Sequence, residues 1–161
     1  MKHIETKIQA LEAAQPIINQ WKELGKSIVF TNGCFDIFHY GHLHLLHHSK
    51  QLGDKLIVGI NSDSSIKKIK GPKRPIQDQN QRSTILSAIV FVDMVILFEE
   101  KTPIKMIKKI SPNFLTKGGD YSIDEVVGKK EVVDSGGKIV LIPLVKNLSS
   151  SKLIYKLQNG Q

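Results

Sequence analysis

Short apolar, β-branched runs alternate along this chain with longer stretches whose apolar residues recur at helical spacing. Ile4, Ile8, Leu11, Ile17, Trp21 and Leu24 predict a helix over 4–24, kinked or split at Pro16. Ser27–Thr31 reads as a buried strand, followed by the loop TNGCFDIFHY. Gly41–Leu52 reads as a helix that Gly53 ends. Lys55–Asn61 is a second strand, and a polar, basic loop covers Ser62–Gln77. Asp78, with Gln81 three residues later, marks the start of a helix reaching about Phe91. Met94–Phe98 is a third strand. Thr102 as N-cap and Pro103 in the first helical position open a helix to about Ile110. Asn113–Thr116 is a fourth strand, 117–135 holds one short helix, and Gly136-Gly137 turns into a fifth strand, Lys138–Ile142. Ser149 caps a last helix to about Gln158.

Continuous apolar strands separated by helices mean a parallel sheet covered on both faces. The expected fold is α/β: a Rossmann-like, doubly wound sheet of five parallel strands with helices on both faces. Such sheets bind ligands beyond the carboxyl ends of their strands, where strand order reverses. Function is therefore expected in loops 32–41, 62–74, 117–121 and 146–151, and the unusual residues of the chain cluster in those loops.

Composition narrows the partners. A chain of 161 residues, 40% apolar and 24% charged, is one soluble globular domain with room for a core. Its 23 Lys and Arg against 15 Asp and Glu leave a net charge of +8, which favours anionic partners such as phosphates, nucleotides, nucleic acid or an anionic membrane face. A lone cysteine, Cys34, excludes an internal disulfide framework and a cysteine-based zinc site. No apolar run approaches the ~18 residues of a spanning helix, and the charged amphipathic N-terminus lacks a signal-peptide stretch, so the expected compartment is the cytoplasm.

The first loop carries the densest chemistry. Gly33 permits close backbone approach, and His39 and His42 flank Gly41 where a strand turns into a helix. Free N–H groups and the positive end of the helix dipole there suit an anion, and two imidazole donors aimed at one point would stabilise phosphate charge in a transition state. The segment TNGCFDIFHYGH resembles the nucleotidyltransferase superfamily with the H-x-G-H signature, cytidylyltransferase-like, and within it the adenylyltransferase branch of ADP-heptose synthesis. The likeness runs from about Val29 to Ile154 through GDKLIVGINSD, KGPKRP, VDMVILFEE, LTKGGDY and SSSKLI. It divides the chain into an N-terminal helical extension, 1–26, and a nucleotidyltransferase domain, 27–161.

The resemblance implies roles for named residues. His39, His42, Lys70 and Arg74 would be catalytic. Thr31, Asn32, Gly33, Cys34, Phe35, Asp36 and Gly41 of the first loop, with Asn61, Asp63 and Arg82, would bind nucleotide. So would Lys117, Gly119, Asp120 and Tyr121 of the K-G-G-D-Y loop and Ser149, Ser150 and Ser151, whose hydroxyls at a helix start suit β and γ phosphates. The family usually has S-T-T where this chain has Ser149-Ser150-Ser151. Asp36 is expected to orient its loop rather than act as a base, and Cys34 to be a small packed residue without a chemical task. Neither the sequence nor the resemblance assigns a protein-held metal. His44, His47 and His48 share a helix at a spacing that can hold zinc, but no carboxylate stands nearby to complete a site, so they read as a solvated helix face.

The implied reaction is attack of a sugar 1-phosphate, a heptose 1-phosphate, on the α-phosphorus of ATP. It gives an ADP-sugar and pyrophosphate for lipopolysaccharide or a related glycan, with Mg²⁺ accompanying ATP. The implied partners are ATP, the sugar 1-phosphate, a separate sugar kinase upstream, and a second copy of the chain in a homodimer, with no membrane and no nucleic acid. Two alternatives stay open: cytidylyl transfer to glycerol 3-phosphate or another polyol phosphate, and a non-catalytic nucleotide- or RNA-binding module built on the basic 62–77 loop.

Overall fold

Alternate residues along the central strands face opposite sides of one sheet, and both sides are covered. The computed structural model describes residues 2–119, 122–143, 145 and 149–160, with side chains for all of these except 2, 3, 151, 152 and 157–159. The strands are β1 (Ile8–Gln9), β2 (Ile28–Gly33), β3 (Lys55–Asn61), β4 (Met94–Phe98), β5 (Phe114–Gly118) and β6 (Lys138–Ile142). Their order is β1-β4-β3-β2-β5-β6 and every pairing is parallel. The helices are α1 (Lys2–Glu5), α2 (Leu11–Glu23), α3 (Tyr40–Lys50), α4 (Asp63–Lys70), α5 (Gln79–Ala88), α6 (Ile104–Ile110), α7 (Lys129–Asp134) and α8 (Ser150–Asn159).

Ile28, Phe30, Ile57, Met94, Ile96 and Leu115 pack on one face against Ala14 and Ile18 of α2, Met106, Ile107 and Ile110 of α6 and Val132 of α7. Val29, Leu56, Val58, Ile60 and Val95 pack on the other against Leu46 of α3 and Leu86 of α5. Gly59 makes the first layer possible, because a Cβ there would stand 2.9 Å from the Phe30 ring and 3.1 Å from the Met106 sulfur. After the edge strand β1 the chain enters the centre at β2, builds outward through β3 and β4, then crosses to β5 and β6. The order reverses between β2 and β5, where a doubly wound sheet opens its ligand crevice.

The sheet is α/β, parallel and doubly wound as expected, but it has six strands rather than five. The expected helix over 4–24 is interrupted by β1, where Ile8 and Gln9 sit beside Val95 and Ile96 and the Lys7 carbonyl accepts from the Val95 N–H at 2.8 Å. Pairing with the open edge of β4 outweighs the local helical period. Pro16 breaks nothing and lies inside α2. The supposed basic loop begins as a helix, α4, because Ser62 caps it by accepting from the Ser65 N–H at 3.1 Å and Ile66 is fully buried beneath it. Helix α5 ends at Ala88, short of Phe91. Helix α6 takes Pro103 as its N-cap, with no side-chain cap from Thr102.

Candidate active site

A cavity of about 470 Å³ lies over the carboxyl ends of β2 and β5, within the range of small-molecule sites. Its walls include Asn32, Gly33, Cys34, Phe35 and Asp36 from the end of β2 and the loop after it, and His42 and Leu45 from α3. Asn61, Ile69 and Lys70 reach it from the β3 side, Lys117 and Gly118 from β5, and Ser150 from α8. Three of the four loops expected to carry function therefore converge on it through described residues, and Ser150 brings the fourth.

The loop after β2 is held in a costly shape. Phe35 and Ile37 both adopt left-handed backbone, with φ of 49° and 52°, at about 1–3 kcal/mol each for residues that are not glycine. Several contacts fix it there. The Phe35 ring packs against Gly33, where a Cβ would stand 3.2 Å from it. The Ile37 N–H donates to Gln77 Oε1 at 3.1 Å. The Asp36 side chain is fully buried and accepts from the Ile76 and Gln77 N–H groups and from Arg74 Nε at 2.7 Å. Burial alone would raise its carboxyl; the Gln77 and Ile76 N–H groups and Arg74 overcome that and hold it below the usual carboxylate range. Asp36 thus orients its loop, and its oxygens are already engaged. Arg74 is correspondingly turned to Asp36 with only 13% of its side chain exposed.

Arg82 extends the same lock. It is fully buried on α5, donating to Gln77 O at 3.0 Å, Cys34 O at 2.7 Å, Asn61 O at 2.9 Å and Asp63 Oδ1 at 2.7 Å. One guanidinium therefore ties the loops after β2 and β3 to the entry of α5. Arg82 and Asp63, expected to touch nucleotide, pair with each other and position the segments that line the cavity. Thr31 is likewise buried, donating to Thr116 O at 3.1 Å across the β2–β5 seam.

His39 caps α3: its Nδ1 accepts from the Gly41 N–H at 3.1 Å, which places the ring proton on Nε2. The His42 ring stacks on it with centroids 3.8 Å apart, and Phe35 and Phe38 stand at 5.1 and 5.6 Å. Burial, reinforced by His39 and Lys70, drives the His42 imidazolium down to about 3, and burial also lowers His39. Both rings are neutral N–H donors at physiological pH.

Across the crevice Lys117 donates to Asn32 Oδ1 at 2.5 Å and to the Asn32 carbonyl at 3.3 Å, bridging β5 to β2. Burial lowers its ammonium to about 8, with the Cys34 sulfur acting in the opposite direction. Nucleotide affinity should therefore fall as pH rises from about 7 to about 9, and Lys117→Met should abolish that dependence, as calorimetric titration with ATP would show. Because the unfolded chain holds this proton to 10.5, the group adds folding stability as pH climbs from about 8 toward that value. Cys34→Ser should leave turnover in place.

Ser150 lines the cavity and donates to the Asp36 carbonyl, while the Ser149 carbonyl accepts from the Leu153 N–H at 3.0 Å in the first turn of α8. Gly119 continues β5, its N–H donating to Ile142 O at 3.3 Å. Asp120, Tyr121 and the Ser151 side chain lie outside the described residues. The sequence reading missed two whole segments of the wall: Lys101 from the loop after β4, and Glu125, Val126 and Val127 from the short turn after β5. Neither segment carries a recognisable motif; only the position of Lys101 at a strand's carboxyl end could have marked it.

A pair of imidazoles at a helix start, on the carboxyl edge of a parallel sheet at its switch point, is the arrangement that the H-x-G-H resemblance led one to expect. The comparisons agree. The chain belongs to the cytidylyltransferase-like family, whose pattern matches residues 30–156. It is 46% identical, over 98% of its length and 32% of the relative, to the bifunctional protein HldE of Mesorhizobium japonicum. Against the bifunctional protein HldE of Paramagnetospirillum magneticum it is 45% identical over 97% of its length, again 32% of the relative. The chain thus spans about a third of these curated relatives. Among solved structures, a lipopolysaccharide core biosynthesis protein from Thermoplasma volcanium is 33% identical, with a TM-score of 0.63 over 77% of this chain and 100% of that one. Pantoate-beta-alanine ligase from Francisella tularensis, 19% identical with a TM-score of 0.61 over 94% of this chain and 78% of its own, shares the fold.

Proposed function

We propose that this protein transfers an adenylyl group from ATP to a heptose 1-phosphate, releasing pyrophosphate and an ADP-sugar destined for lipopolysaccharide or a related glycan. The His39–His42 stack over the β2–β5 crevice carries this reading: neutral, preorganised donors suit a triphosphate whose charge moves toward the leaving group. The likeness of K-G-G-D-Y and TNGCFD to the adenylyl branch, the relatives named HldE and the lipopolysaccharide core biosynthesis protein support the substrate class.

An oxygen of the acceptor phosphate attacks the α-phosphorus in line, the bond to the β-phosphate breaks, and pyrophosphate leaves. The nucleophile has no proton to lose, so no general base is needed, in keeping with an Asp36 whose oxygens are already engaged. His42 and the Nε2–H of His39 donate to phosphate oxygens as charge moves. Lys70, Lys117 and Ser150 hold the triphosphate, and the strained 34–37 loop fixes its place. Among the described residues no group of three or more His, Cys, Asp or Glu gathers to cage a metal. A divalent ion, Mg²⁺ in this proposal, fits such a site as a counter-ion held by phosphate oxygens and water, supplying charge neutralisation. The 1-phosphate itself must come from a sugar kinase activity. No helix among the described residues is long and apolar enough to cross a membrane.

The family's cytidylyltransferase-like character keeps one second reading in view, cytidylyl transfer to a polyol phosphate. Base choice separates them. Losing one buried base-edge hydrogen bond costs about 1–3 kcal/mol, a preference of roughly 5- to 150-fold. We expect kcat/KM for ATP to exceed that for CTP by such a factor with the same heptose 1-phosphate, read by pyrophosphate release. A ratio near one, or in favour of CTP, would overturn the adenylyl assignment.

A further inference from the structure

We infer that Lys101 and Glu125 form the acceptor half of the cavity, Lys101 taking the phosphate of the sugar 1-phosphate and Glu125 its hydroxyls. This rests on the reaction proposed above. The H-x-G-H side enters the cavity from α3, on one face of the sheet. Lys101, Glu125, Val126 and Val127 enter from the segments after β4 and β5 that lead to α6 and α7 on the other face. In-line displacement requires the incoming oxygen to approach opposite the leaving group. If pyrophosphate departs toward the start of α3 and Ser150, the acceptor arrives from this second wall.

The wall has suitable chemistry. Lys101 is exposed and has no hydrogen-bond or ion-pair partner among the described residues, because the adjacent Glu100 carboxylate is taken by Lys105 at 3.3 Å. Its loop is nonetheless anchored: the Phe98 carbonyl accepts from Ser62 N at 2.8 Å and the Glu100 carbonyl from Ser65 Oγ at 2.9 Å. Glu125 spends one carboxylate oxygen on the Ser122 N–H at 3.1 Å, which orients it and leaves the other oxygen without a partner among the described residues. On the same wall, directly after Glu125, Val126 is buried and Val127 half exposed, apolar side chains for the carbon face of a sugar. A carboxylate on the wall would repel a triphosphate but accepts hydroxyl hydrogen bonds. An ammonium, a carboxylate and apolar side chains on one wall fit a phosphorylated sugar.

The test is steady-state kinetics of Lys101→Met and Glu125→Gln beside the unaltered protein. Gln keeps an oxygen for Ser122, and both positions are exposed, so folding survives. We expect the KM for the sugar 1-phosphate to rise about tenfold in each variant, the loss of one charge-assisted hydrogen bond, while the KM for ATP stays within about twofold. A Lys101→Met variant with raised KM for ATP, or with both values unchanged, would overturn the inference. The unaltered protein judges the proposed reaction separately. If it accepts CTP and a polyol phosphate instead, the adenylyl reading fails, while the selective rise in acceptor KM is still read with that acceptor. If it releases no pyrophosphate with any pair, both fail.

Discussion

Replacing His42 with alanine should lower turnover by roughly 10²–10³-fold while the protein stays folded, the range for losing a preorganised donor to developing charge. The ring is locked by stacking on His39 at 3.8 Å and by the Phe35 and Phe38 edges. With its imidazolium pushed down to about 3, chiefly by burial, it enters the reaction as a neutral donor, already aligned. Alanine removes the donor and leaves a small void between two phenylalanines, so the measurement must pair kcat for the sugar 1-phosphate reaction with a thermal unfolding curve. Turnover near that of the unaltered protein, in a folded variant, would take His42 out of the mechanism.

Arg82→Ala should have the largest effect on stability. Its side chain is fully buried, and alanine would strand the carbonyls of Cys34, Asn61 and Gln77 and leave Asp63 without its cation. Removing one partner of a buried ion pair costs about 3–5 kcal/mol; the 29% exposure of the Asp63 side chain reduces its share, and the three stranded carbonyls add to it. At 161 residues that corresponds to a fall in Tm of roughly 6–20 °C. Arg82→Lys should recover only part of it, because an ammonium cannot reproduce the fork that spans three segments. The same variant should bind ATP less well, since the loops it joins form the cavity wall. A loss below about 1 kcal/mol by urea denaturation would mean that water replaces the guanidinium without penalty.

The central strands were legible because a strand buried on both faces reads as an unbroken apolar run, as in Lys55–Asn61 and Met94–Phe98. The rule that parallel sheets bind ligands beyond their carboxyl ends marked the 32–41 and 117–121 loops, while the strand order that sets them side by side came only with the fold. What escaped depends on distant contacts. Ile8 and Gln9 fit a helical period and become a strand only because β4 offers an edge. The lysines of 67–70 looked like a loop because their spacing says nothing of Ile66 packing below. An arginine on a helix reads as solvated, and nothing local marks Arg82 as buried. Lys101 and Glu125 carry no motif, so only the folded cavity brings them together.

The two-residue strand β1 has a consequence for the behaviour of the protein in a crowded solution. β4 is an apolar strand, Met94–Phe98, and without β1 it would end the sheet with open N–H and C=O groups beside Val95 and Ile96. Such an edge is a template for another chain's strand. The Lys7 carbonyl and the Ile8–Gln9 backbone occupy it, and Lys7 Nζ ties the segment down by donating to Ile89 O at 3.3 Å. Residues 7–9 therefore act as a guard against edge-to-edge self-association, a colloidal role separate from any contact with substrate.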